Sequence, residues 1–416
     1  MNDDRPLVGI DVGSSTVKVV VAVPEPHRLV IKGCGEARHD GARKGIISDL
    51  EEVARAVRIA AQEAEAMAST PVLQAAVALG GSPVLGKPSC ASTPITGRNS
   101  SVSSEDVNLA LSRCASMMIP EDYKVLDIIP CGFALDGQPG IANPEGMTGR
   151  TMEASAYVLF TPRAHVDTLE QTVNQASVAV TNFLYEPLAA AEAVLSPDER
   201  ELGCMLIDIG HATSEWVVWN EGTVAASGTY PIGGRHFVAD VATVMKTNTD
   251  GAELIKRSVG VSMEREDLDL LGIEVPTLGG YGNQIADGRL AAQILYERAH
   301  ELFVGIARNL SDLEMDRVPR AGVILTGGEA RLEGMAGVAE AVFAHHARIG
   351  LPRNLAGEVE PVSGPQWAVA CGLIRLVHER KQRPFLRKRQ GGGILNRLRS
   401  ALGEIFELGV ENDLHR

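Results

Sequence analysis

Two stretches of this sequence repeat one spacing of carboxylate, glycine and hydroxyl side chains. Residues 7–22 read LVGIDVGSSTVKVVVA, and residues 204–219 read CMLIDIGHATSEWVVW. Aligned without gaps, they share an aspartate, a glycine and a threonine, in the pairs Asp11 and Asp208, Gly13 and Gly210, and Thr16 and Thr213. The repetition indicates one duplicated unit.

Each copy has the chemistry of a phosphate-binding turn. Backbone N–H groups of a glycine-containing turn bind anions, and Ser14, Ser15 and Ser214 add hydroxyl donors to those of the shared threonines. The aspartates stand where strand meets turn, where they would hold Mg²⁺ mostly through water, as that ion prefers. Two such turns that face each other would bind a polyphosphate from both sides. The alternative is two ordinary hairpins with acidic ends, and the repetition favours phosphate binding.

A third glycine turn follows an apolar strand in residues 321–334, AGVILTGGEARLEG. Gly327 and Gly328 remove side chains where a flat ring or a sugar must approach the backbone. A Gly-Gly turn after a strand is common, so this motif becomes strong evidence only together with the two hairpins.

Further charged candidates lie on predicted helices. Glu186 begins residues 186–195, EPLAAAEAVL, at a strand-to-helix junction from which a carboxylate would reach a cleft. An acidic residue at this place also suits the helix dipole, so a purely structural role stays open. Glu253 and Lys256 are about one turn apart, a spacing that usually gives a solvated surface pair.

The elements that must position these residues follow from the sequence pattern. In each repeat, an apolar run, a short turn and a β-branched run predict a hairpin. Ser48 and Glu51 predict a capping box for a helix that ends near residue 67. Residues 83–160 change in composition and predict an inserted subdomain with a binding role. Residues 197–203 predict a polar connector between two halves.

Composition limits the class of protein. The chain has 416 residues, which favours two or more domains, and its formal net charge of −14 argues against nucleic acid as the main partner. Its six cysteines lie far apart without a C-x-x-C spacing, so they predict neither zinc nor a disulfide frame and fit a reduced cytoplasm. No apolar run approaches the roughly 18 residues of a membrane span, so we expect any membrane contact to be peripheral.

The last part of the chain differs from the rest. Residues 380–399 contain eight Lys or Arg and no acid, and residues 385–393 read as a flexible basic linker that ends in three glycines. Residues 394–408 then predict an amphipathic helix that lies on an anionic membrane surface. Its apolar face and flanking arginines are Ile394, Leu395, Arg397, Leu398, Arg399, Leu402, Ile405 and Phe406. Alternatively, this helix would pack into the core of the protein or into a groove of a partner protein.

Several motifs together resemble a known family. The actin, heat-shock-chaperone and sugar-kinase superfamily is indicated by IDVGSSTVK at 10–18, IDIGHATSE at 207–215 and LTGGEARLEG at 325–334. The sequences KGIISDLE and ERELG, the insertion and the amphipathic end narrow the resemblance to FtsA, the bacterial cell-division family. The resemblance runs over residues 7–406, nearly the whole chain.

The resemblance implies an α/β fold in which duplicated actin-like, ribonuclease H-like domains surround a nucleotide cleft. The first core would comprise residues 1–82, 161–199 and 361–384, and the inserted subdomain residues 83–160. The second core would comprise residues 200–231 and 303–360, with a smaller subdomain at 232–302.

The resemblance also implies Mg-ATP in the cleft. The residues it assigns to the cofactor are Asp11, Gly13, Ser14, Ser15, Thr16, Lys18, Gly210, His211, Thr213, Gly234, Glu253, Lys256, Gly327 and Gly328. Asp11 and Asp208 would serve the metal, and Glu186 and Asp208 would be catalytic. Many members of the superfamily have Gly-Gly after the second Asp-x-Gly, whereas His211 and Ala212 stand here. We therefore expect ATP binding with at most weak hydrolysis.

By resemblance, the protein would polymerise on the cytoplasmic face of the inner membrane at the division site. It would tether FtsZ, the tubulin-like ring protein, through the smaller subdomain, and would meet neighbouring subunits or other division proteins through the insertion. A pilus-assembly ATP-binding protein of the PilM type is an alternative, although that type ordinarily lacks a basic amphipathic tail. A sugar or carboxylate kinase on the same fold is another, although no substrate base is evident.

Overall fold

The computed structural model describes most of the chain. The described residues are 5–25, 28–43, 45–116, 119–280, 282–315 and 318–382. The predicted basic linker and amphipathic helix lie outside them. Among the helices of these ranges, none has the length and apolar character required to cross a membrane.

The first half of the chain forms one sheet with helices and an inserted sheet. Its opening elements are β1 (Leu7–Val12), β2 (Thr16–Glu25), β3 (Arg28–Arg38), β4 (Ala42–Arg43), β5 (Ile46–Ile47), α1 (Leu50–Ala68) and β6 (Gln74–Leu79). The inserted elements are β7 (Leu85–Pro94), α2 (Ser104–Ser116), β8 (Tyr123–Leu135), β9 (Gln138–Ile141) and β10 (Thr151–Pro162). The half ends with α3 (Arg163–Gln175), β11 (Ala179–Tyr185), α4 (Glu186–Val194) and α5 (Pro197–Leu202).

The second half repeats the plan and returns to the first. Its hairpin and smaller subdomain are β12 (Cys204–Ile209), β13 (Ser214–Asn220), β14 (Thr223–Tyr230), α6 (Gly234–Met245), α7 (Thr249–Val259), β15 (Glu274–Pro276), β16 (Asn283–Ile285) and α8 (Gly288–Asp312). The closing elements are β17 (Val323–Thr326), α9 (Met335–Phe343), β18 (Ala347–Ile349), β19 (Leu355–Gly357) and α10 (Ala368–Gln382).

The two main sheets have matching topology. The first has the order β11-β6-β1-β2-β3-β19, and the second has the order β14-β13-β12-β17-β18. In each, a three-stranded antiparallel meander carries a parallel strand beside its first strand, β6 beside β1 and β17 beside β12. The registers of the two hairpins also agree, since Val12 faces Val17 and Ile209 faces Ser214. The predicted duplication and both hairpins are confirmed.

The strands that carry the hairpins are apolar on both faces. Almost every residue of β1 and β12 is buried, as expected for central strands covered by helices on both sides. Helix α1 packs on β2 and β3 with an alanine- and valine-rich face. These rigid strands end at the two turns, so the turns are held by the best-packed part of the molecule.

Helices α4 and α10 approach each other closely. A Cβ at Gly372 would lie 1.6 Å from the carbonyl oxygen of Ala189, so only glycine permits this crossing. Because α4 also contacts β12 and β13, this crossing helps to join the two halves.

The structure corrects three local predictions. The cap of α1 is Asp49, whose Oδ1 accepts the N–H of Glu52 at 3.1 Å, whereas Ser48 Oγ donates to the carbonyl of Gly41. Residues 197–203 contain the short helix α5, not only a connector, because Ser196 and Glu199 form a capping box there. Strand β19 pairs with β3 in the first sheet, so placing all of 303–360 in the second core is wrong.

Candidate functional site

A cleft of about 850 Å³ opens where the turns of both hairpins meet. The predicted site residues in its lining are Asp11, Gly13, Ser14, Ser15, Thr16, Lys18, Glu186, Asp208, Gly210, His211, Thr213, Glu253, Gly327 and Gly328. The two duplicated turns and the Gly-Gly turn therefore converge on one cavity, although they are far apart in sequence.

The first turn, residues 13–16, is called loop 1 below. The N–H of Gly13 donates to the carbonyl of Thr16 at 3.0 Å. The Gly13 carbonyl accepts from His39 Nε2 at 2.9 Å, and the Ser15 carbonyl accepts from the His39 N–H at 2.9 Å. Lys18 Nζ donates to Thr16 Oγ1 at 2.8 Å. The carbonyl oxygens of Gly13, Ser15 and Thr16 are thus bonded inside the protein, and an ammonium group lies beside the loop.

The second turn, residues 210–213, is called loop 2 below. It closes in the same way, since the N–H of Gly210 donates to the carbonyl of Thr213 at 3.0 Å. The first turn of α6 binds two further carbonyls: Gly234 N–H donates to Gly210 at 3.0 Å, and Arg235 N–H donates to His211 at 2.8 Å. In each loop, three of the four carbonyl oxygens are therefore bonded within the protein, which suits anion binding by N–H groups.

Two predicted donors of the second half are used elsewhere. Ser214 is buried at the start of β13, and its Oγ donates to the carbonyl of Ile232 at 2.8 Å. The N–H of Gly234 is occupied by Gly210, and Gly234 is absent from the described lining of the cleft. The prediction that Ser214 offers its hydroxyl to a ligand is wrong, and Gly234 acts through loop 2 instead.

Four carboxylates gather deep in the cleft. Burial raises the pKa of Asp208 to about 7, with a further increase from Asp11. Burial likewise raises the pKa of Glu215 to about 8 and raises that of Glu186 well above its ordinary value, with Glu215 as the second cause. The pKa of Asp11 is also raised by burial, against the effect of Lys18. A divalent cation would relieve this repulsion, so the donor set fits Mg²⁺.

The cation would be held through water. Within the described ranges, no three His, Cys, Asp or Glu side chains are grouped so that they could ligate a metal directly. Mg²⁺ commonly keeps several water molecules and binds one or two carboxylates together with substrate phosphates. Asp11 and Asp208, at the ends of equivalent strands, are placed for that role.

Glu215 is a cleft residue that the sequence analysis did not single out. It lies on β13 and accepts the N–H of Gly81, which follows β6 of the first half. The Glu186 carboxyl is within hydrogen-bonding range of it. Glu215 therefore bridges the two halves at the floor of the cleft. Its position at the end of the repeated motif IDIGHATSE, equivalent to Lys18 in the first copy, was the available signal.

The two glycines after β17 differ in their surroundings. Gly327 has φ +89, and a Cβ there would lie 2.2 Å from Asp208 Oδ1. By contrast, a Cβ on Gly328 would meet no described atom within 4 Å. Gly327 thus packs against the end of β12, whereas Gly328 presents bare backbone to the cleft, where a ring or sugar has room.

Lys256 is not a solvated residue. Only 2% of it is exposed, and its Nζ lies 2.9 Å from Glu253 Oε2 and 2.9 Å from Glu329 Oε2. The usual interpretation of an i, i+3 pair as a surface pair is therefore wrong for Lys256. Its two carboxylate partners line the cleft and Lys256 does not, so a direct contact between Lys256 and a ligand is not supported. Glu329 was missed because its partner is distant in sequence.

His211 replaces one glycine of the usual second loop. It lines the cleft, and burial together with Lys256 lowers the pKa of its imidazole. A neutral imidazole therefore borders the phosphate side of loop 2, and Ala212 beside it is buried. The predicted membrane residues 394–406 lie outside the described part of the chain.

Comparison with known proteins identifies the family. The family model of the cell division protein FtsA matches residues 205–372, and that of the SHS2 domain inserted in FtsA matches residues 81–160. The cell division protein FtsA of Borreliella burgdorferi is 30% identical over 384 residues, covering 92% of this chain and 93% of that relative. The chain belongs to the FtsA family. FtsA of Bacillus subtilis (strain 168) is 28% identical, with 90% of this chain and 84% of the relative covered.

Solved structures agree on the fold. The PilM-PilN type IV pilus biogenesis complex matches with TM-score 0.65 and 17% identity, covering 90% of this chain and 98% of that chain. MreB5 of Spiroplasma citri bound to AMPPNP matches with TM-score 0.56 and 13% identity, covering 92% and 98%. The predicted actin-like α/β fold with an inserted subdomain is confirmed. The likeness to PilM concerns the fold alone, whereas membership of the FtsA family makes this a cell-division protein.

Proposed function

We propose that this FtsA-family chain binds Mg-ATP, polymerises on the cytoplasmic face of the cell membrane and tethers FtsZ there. One observation carries the nucleotide part of the proposal: loops 1 and 2, related by duplication, line one cleft, and three of the four carbonyl oxygens of each loop are bonded into the protein. This leaves backbone N–H groups and hydroxyls of both loops for a polyphosphate.

The described residues take distinct roles in this proposal. The two loops hold the phosphates, Lys18 adds positive charge, and Gly328 faces the adenosine. Asp11 and Asp208 hold Mg²⁺ through water, and the bound ion would neutralise phosphate charge. Burial and the nearby Glu215 raise the pKa of Glu186 well above its ordinary value, which favours the protonated carboxyl.

Hydrolysis would be weak for two reasons. The raised pKa of Glu186 disfavours the carboxylate form that a general base needs, and a nearby cation would lower that pKa. In addition, His211 and Ala212 carry side chains where many superfamily members have glycines, which narrows the space for a terminal phosphate. We therefore propose an ATP-dependent scaffold rather than an efficient ATPase.

Isothermal titration tests the site. ATP with Mg²⁺ is titrated into the wild type and into a double variant, Asp208→Ala with Thr213→Ala. Removing these groups should lower the affinity roughly tenfold or more. Asp312→Asn, on the exposed end of α8, is the charge-matched control and should bind as the wild type does. Equal affinity of all three proteins would remove the site assignment.

The membrane part of the proposal rests on the sequence pattern of residues 394–408. Flotation with liposomes containing phosphatidylglycerol would compare the wild type with Leu398→Glu, which places a charge on the apolar face. Ser400→Glu places the same charge on the polar face and is the matched control. We expect only Leu398→Glu to lose binding, and equal flotation of all three would reject the anchor.

The smaller subdomain offers a surface for FtsZ. A groove of about 810 Å³ lies between α6 and α8 and is bordered by Val244 and Leu290, two apolar residues that are 48% and 41% exposed. Val244→Glu should weaken co-sedimentation with FtsZ. Leu254→Glu is the control, because Leu254 is 49% exposed on α7 but absent from the described groove lining. Equal binding by both variants would remove the groove from the proposal.

Polymerisation is tested separately. Electron microscopy on lipid monolayers, with and without ATP, should show ordered filaments that depend on the nucleotide. If protein coats the monolayer in the presence of ATP but forms no ordered filaments, the proposed polymerisation is contradicted.

A further inference from the structure

The duplication allows equivalent atoms of the two loops to be compared. The Gly210 carbonyl of loop 2 is held by the backbone N–H of Gly234 at 3.0 Å. The equivalent carbonyl of loop 1, that of Gly13, is held by a side chain, the imidazole of His39, at 2.9 Å. The two loops are otherwise closed by the same glycine-to-threonine hydrogen bond at 3.0 Å.

His39 binds loop 1 twice. Besides the contact of its ring with Gly13, its backbone N–H donates to the carbonyl of Ser15 at 2.9 Å. The ring contact with Gly13 matches the bond that Gly234 makes to Gly210, whereas the second bonds differ by one position, since Arg235 binds His211, the equivalent of Ser14. One residue beyond the end of β3 thus binds two carbonyls of loop 1, as the first turn of a helix binds two carbonyls of loop 2.

Holding these carbonyls has a direct geometric consequence. In a trans peptide, a C=O and the following N–H point in opposite directions. Because the carbonyls of Gly13 and Ser15 point at His39, the N–H groups of Ser14 and Thr16 point away from it. Ser14 and Thr16 line the cleft, so this orientation presents their N–H groups to an anion.

The state of the imidazole is defined by its contacts. A carbonyl oxygen only accepts, so Nε2 of His39 carries a proton. The ring is 4% exposed, and Nδ1 has no hydrogen-bond partner among the described residues. Burial lowers the pKa of His39, so the ring is neutral near pH 7. Protonation of Nδ1 would leave the Nε2 bond in place.

We propose that His39 is a positioning residue for phosphate binding, which sets the peptide planes of loop 1 so that their N–H groups face the phosphates of the ligand. The inference rests on the proposed nucleotide binding and adds a residue outside both repeats. His39 lines the cleft but is only 4% exposed, and the proposed effect on the ligand is transmitted through Gly13 and Ser15.

The test separates phosphate recognition from the rest of the ligand. Affinities for ATP, inorganic tripolyphosphate and adenosine are measured for the wild type, His39→Ala and His39→Gln. His39→Ala should lower the affinity for ATP and for tripolyphosphate about five- to tenfold, as expected for one lost hydrogen bond. The affinity for adenosine should stay unchanged. Glutamine has an N–H donor of similar reach, so His39→Gln should recover the affinity to within about twofold.

A matched control removes a bond of the same type. His165 Nε2 lies 3.1 Å from the carbonyl of Gly80, in the same cleft but outside both loops. His165→Ala should leave the ratio of ATP to adenosine affinity as in the wild type. Thermal melting of every variant checks folding, and His39→Asn, whose amide is too short to reach Gly13, should behave as His39→Ala does.

The outcomes are distinguishable. Three results would each overturn the inference and leave nucleotide binding intact. They are an equal loss of affinity for all three ligands in His39→Ala, wild-type affinity of His39→Ala, and failure of His39→Gln to restore binding. If the wild type binds neither ATP nor tripolyphosphate, the proposed function itself fails.

Discussion

Lys256 and Glu329 form a buried ion pair at the edge of the cleft, with Lys256 Nζ 2.9 Å from Glu329 Oε2. Lys256 lies on α7, whereas Glu329 directly follows the Gly-Gly turn after β17. The pair therefore ties the smaller subdomain to the turn that borders the cleft. A second carboxylate, that of Glu253, lies equally close to Lys256.

Removing the charge of Lys256 should destabilise the folded protein. Lys256→Met would leave two carboxylates facing each other without a cation, and we expect the free energy of unfolding to fall by about 3–5 kcal/mol. Arg257→Met is the control, because Arg257 binds the same Glu253 but its side chain is 62% exposed, so about 1 kcal/mol or less is expected. Urea denaturation measures both. Similar small losses in the two variants would show that the buried pair is not important for stability.

The Gly-Gly turn predicts opposite effects for its two residues. Gly327→Ala should destabilise the fold, because φ there is +89 and the new Cβ would collide with Asp208 and with the backbone of Ile209. Gly328→Leu should leave the melting temperature nearly unchanged, since Gly328 has helical φ and ψ and open space around its Cα. It should nevertheless weaken ATP binding by filling the cleft. Wild-type affinity of Gly328→Leu would remove Gly328 from the nucleotide site.

The buried carboxylates predict that stability falls as pH rises from their ordinary pKa values to their raised folded values. The folded-state pKa values of Asp208 and Glu215 are about 7 and about 8, above the ordinary 3.8 and 4.5. The folded protein therefore holds protons that the unfolded chain has already released. The contribution of these two groups to the free energy of unfolding is greatest below their ordinary pKa values. It is lost as pH rises through 7 and 8, the folded-state pKa values.

Thermal melting between pH 6 and pH 9, without nucleotide, measures this effect. The melting temperature should fall with pH in the wild type and fall less in Glu215→Gln. Asp312→Asn, which removes an exposed carboxylate, should keep the wild-type slope. A wild-type melting temperature that does not change with pH would contradict the raised pKa values of these carboxyls. Added Mg-ATP should reduce the dependence on pH if the ion replaces the protons.

The crossing of α4 and α10 predicts a strong effect of one methyl group. Gly372→Ala would place a Cβ against the Ala189 carbonyl, and we expect a loss of about 2 kcal/mol or more. Gly337→Ala is the control within α9, where a Cβ meets no described atom within 4 Å, and a gain of about 0.5–1 kcal/mol is expected. Denaturant unfolding would show the two changes in opposite directions, and a neutral Gly372→Ala would contradict the close crossing.

Much of the fold was predictable because its signals are local. The gapless repeat determines that the two hairpins share a register, which the pairs Val12 with Val17 and Ile209 with Ser214 confirm. Apolar runs bounded by glycine turns specify strands without reference to the rest of the chain. The family resemblance then places the two hairpins on either side of one cleft.

Errors occurred where the sequence offers equivalent choices. Ser48 and Asp49 are both good helix caps, and the choice depends on the carbonyl of Gly41, which takes the Ser48 hydroxyl. Strand β19 is three residues long, so its pairing with β3 has no periodic signal. Spacing alone placed Lys256 on a surface, because an i, i+3 pattern does not encode what covers the helix.

The sequence by itself determined the duplicated hairpins, the loop residues and the Gly-Gly turn, because these depend on neighbours within a few positions. The long-range contacts became visible in the folded protein alone: Lys256 is paired with Glu329, 73 residues away, and the ring of His39 binds the Gly13 carbonyl across 26 residues. The tertiary structure also placed Glu215 against Gly81 of the other half. Such contacts depend on how whole sheets and helices pack, which no short stretch of residues encodes.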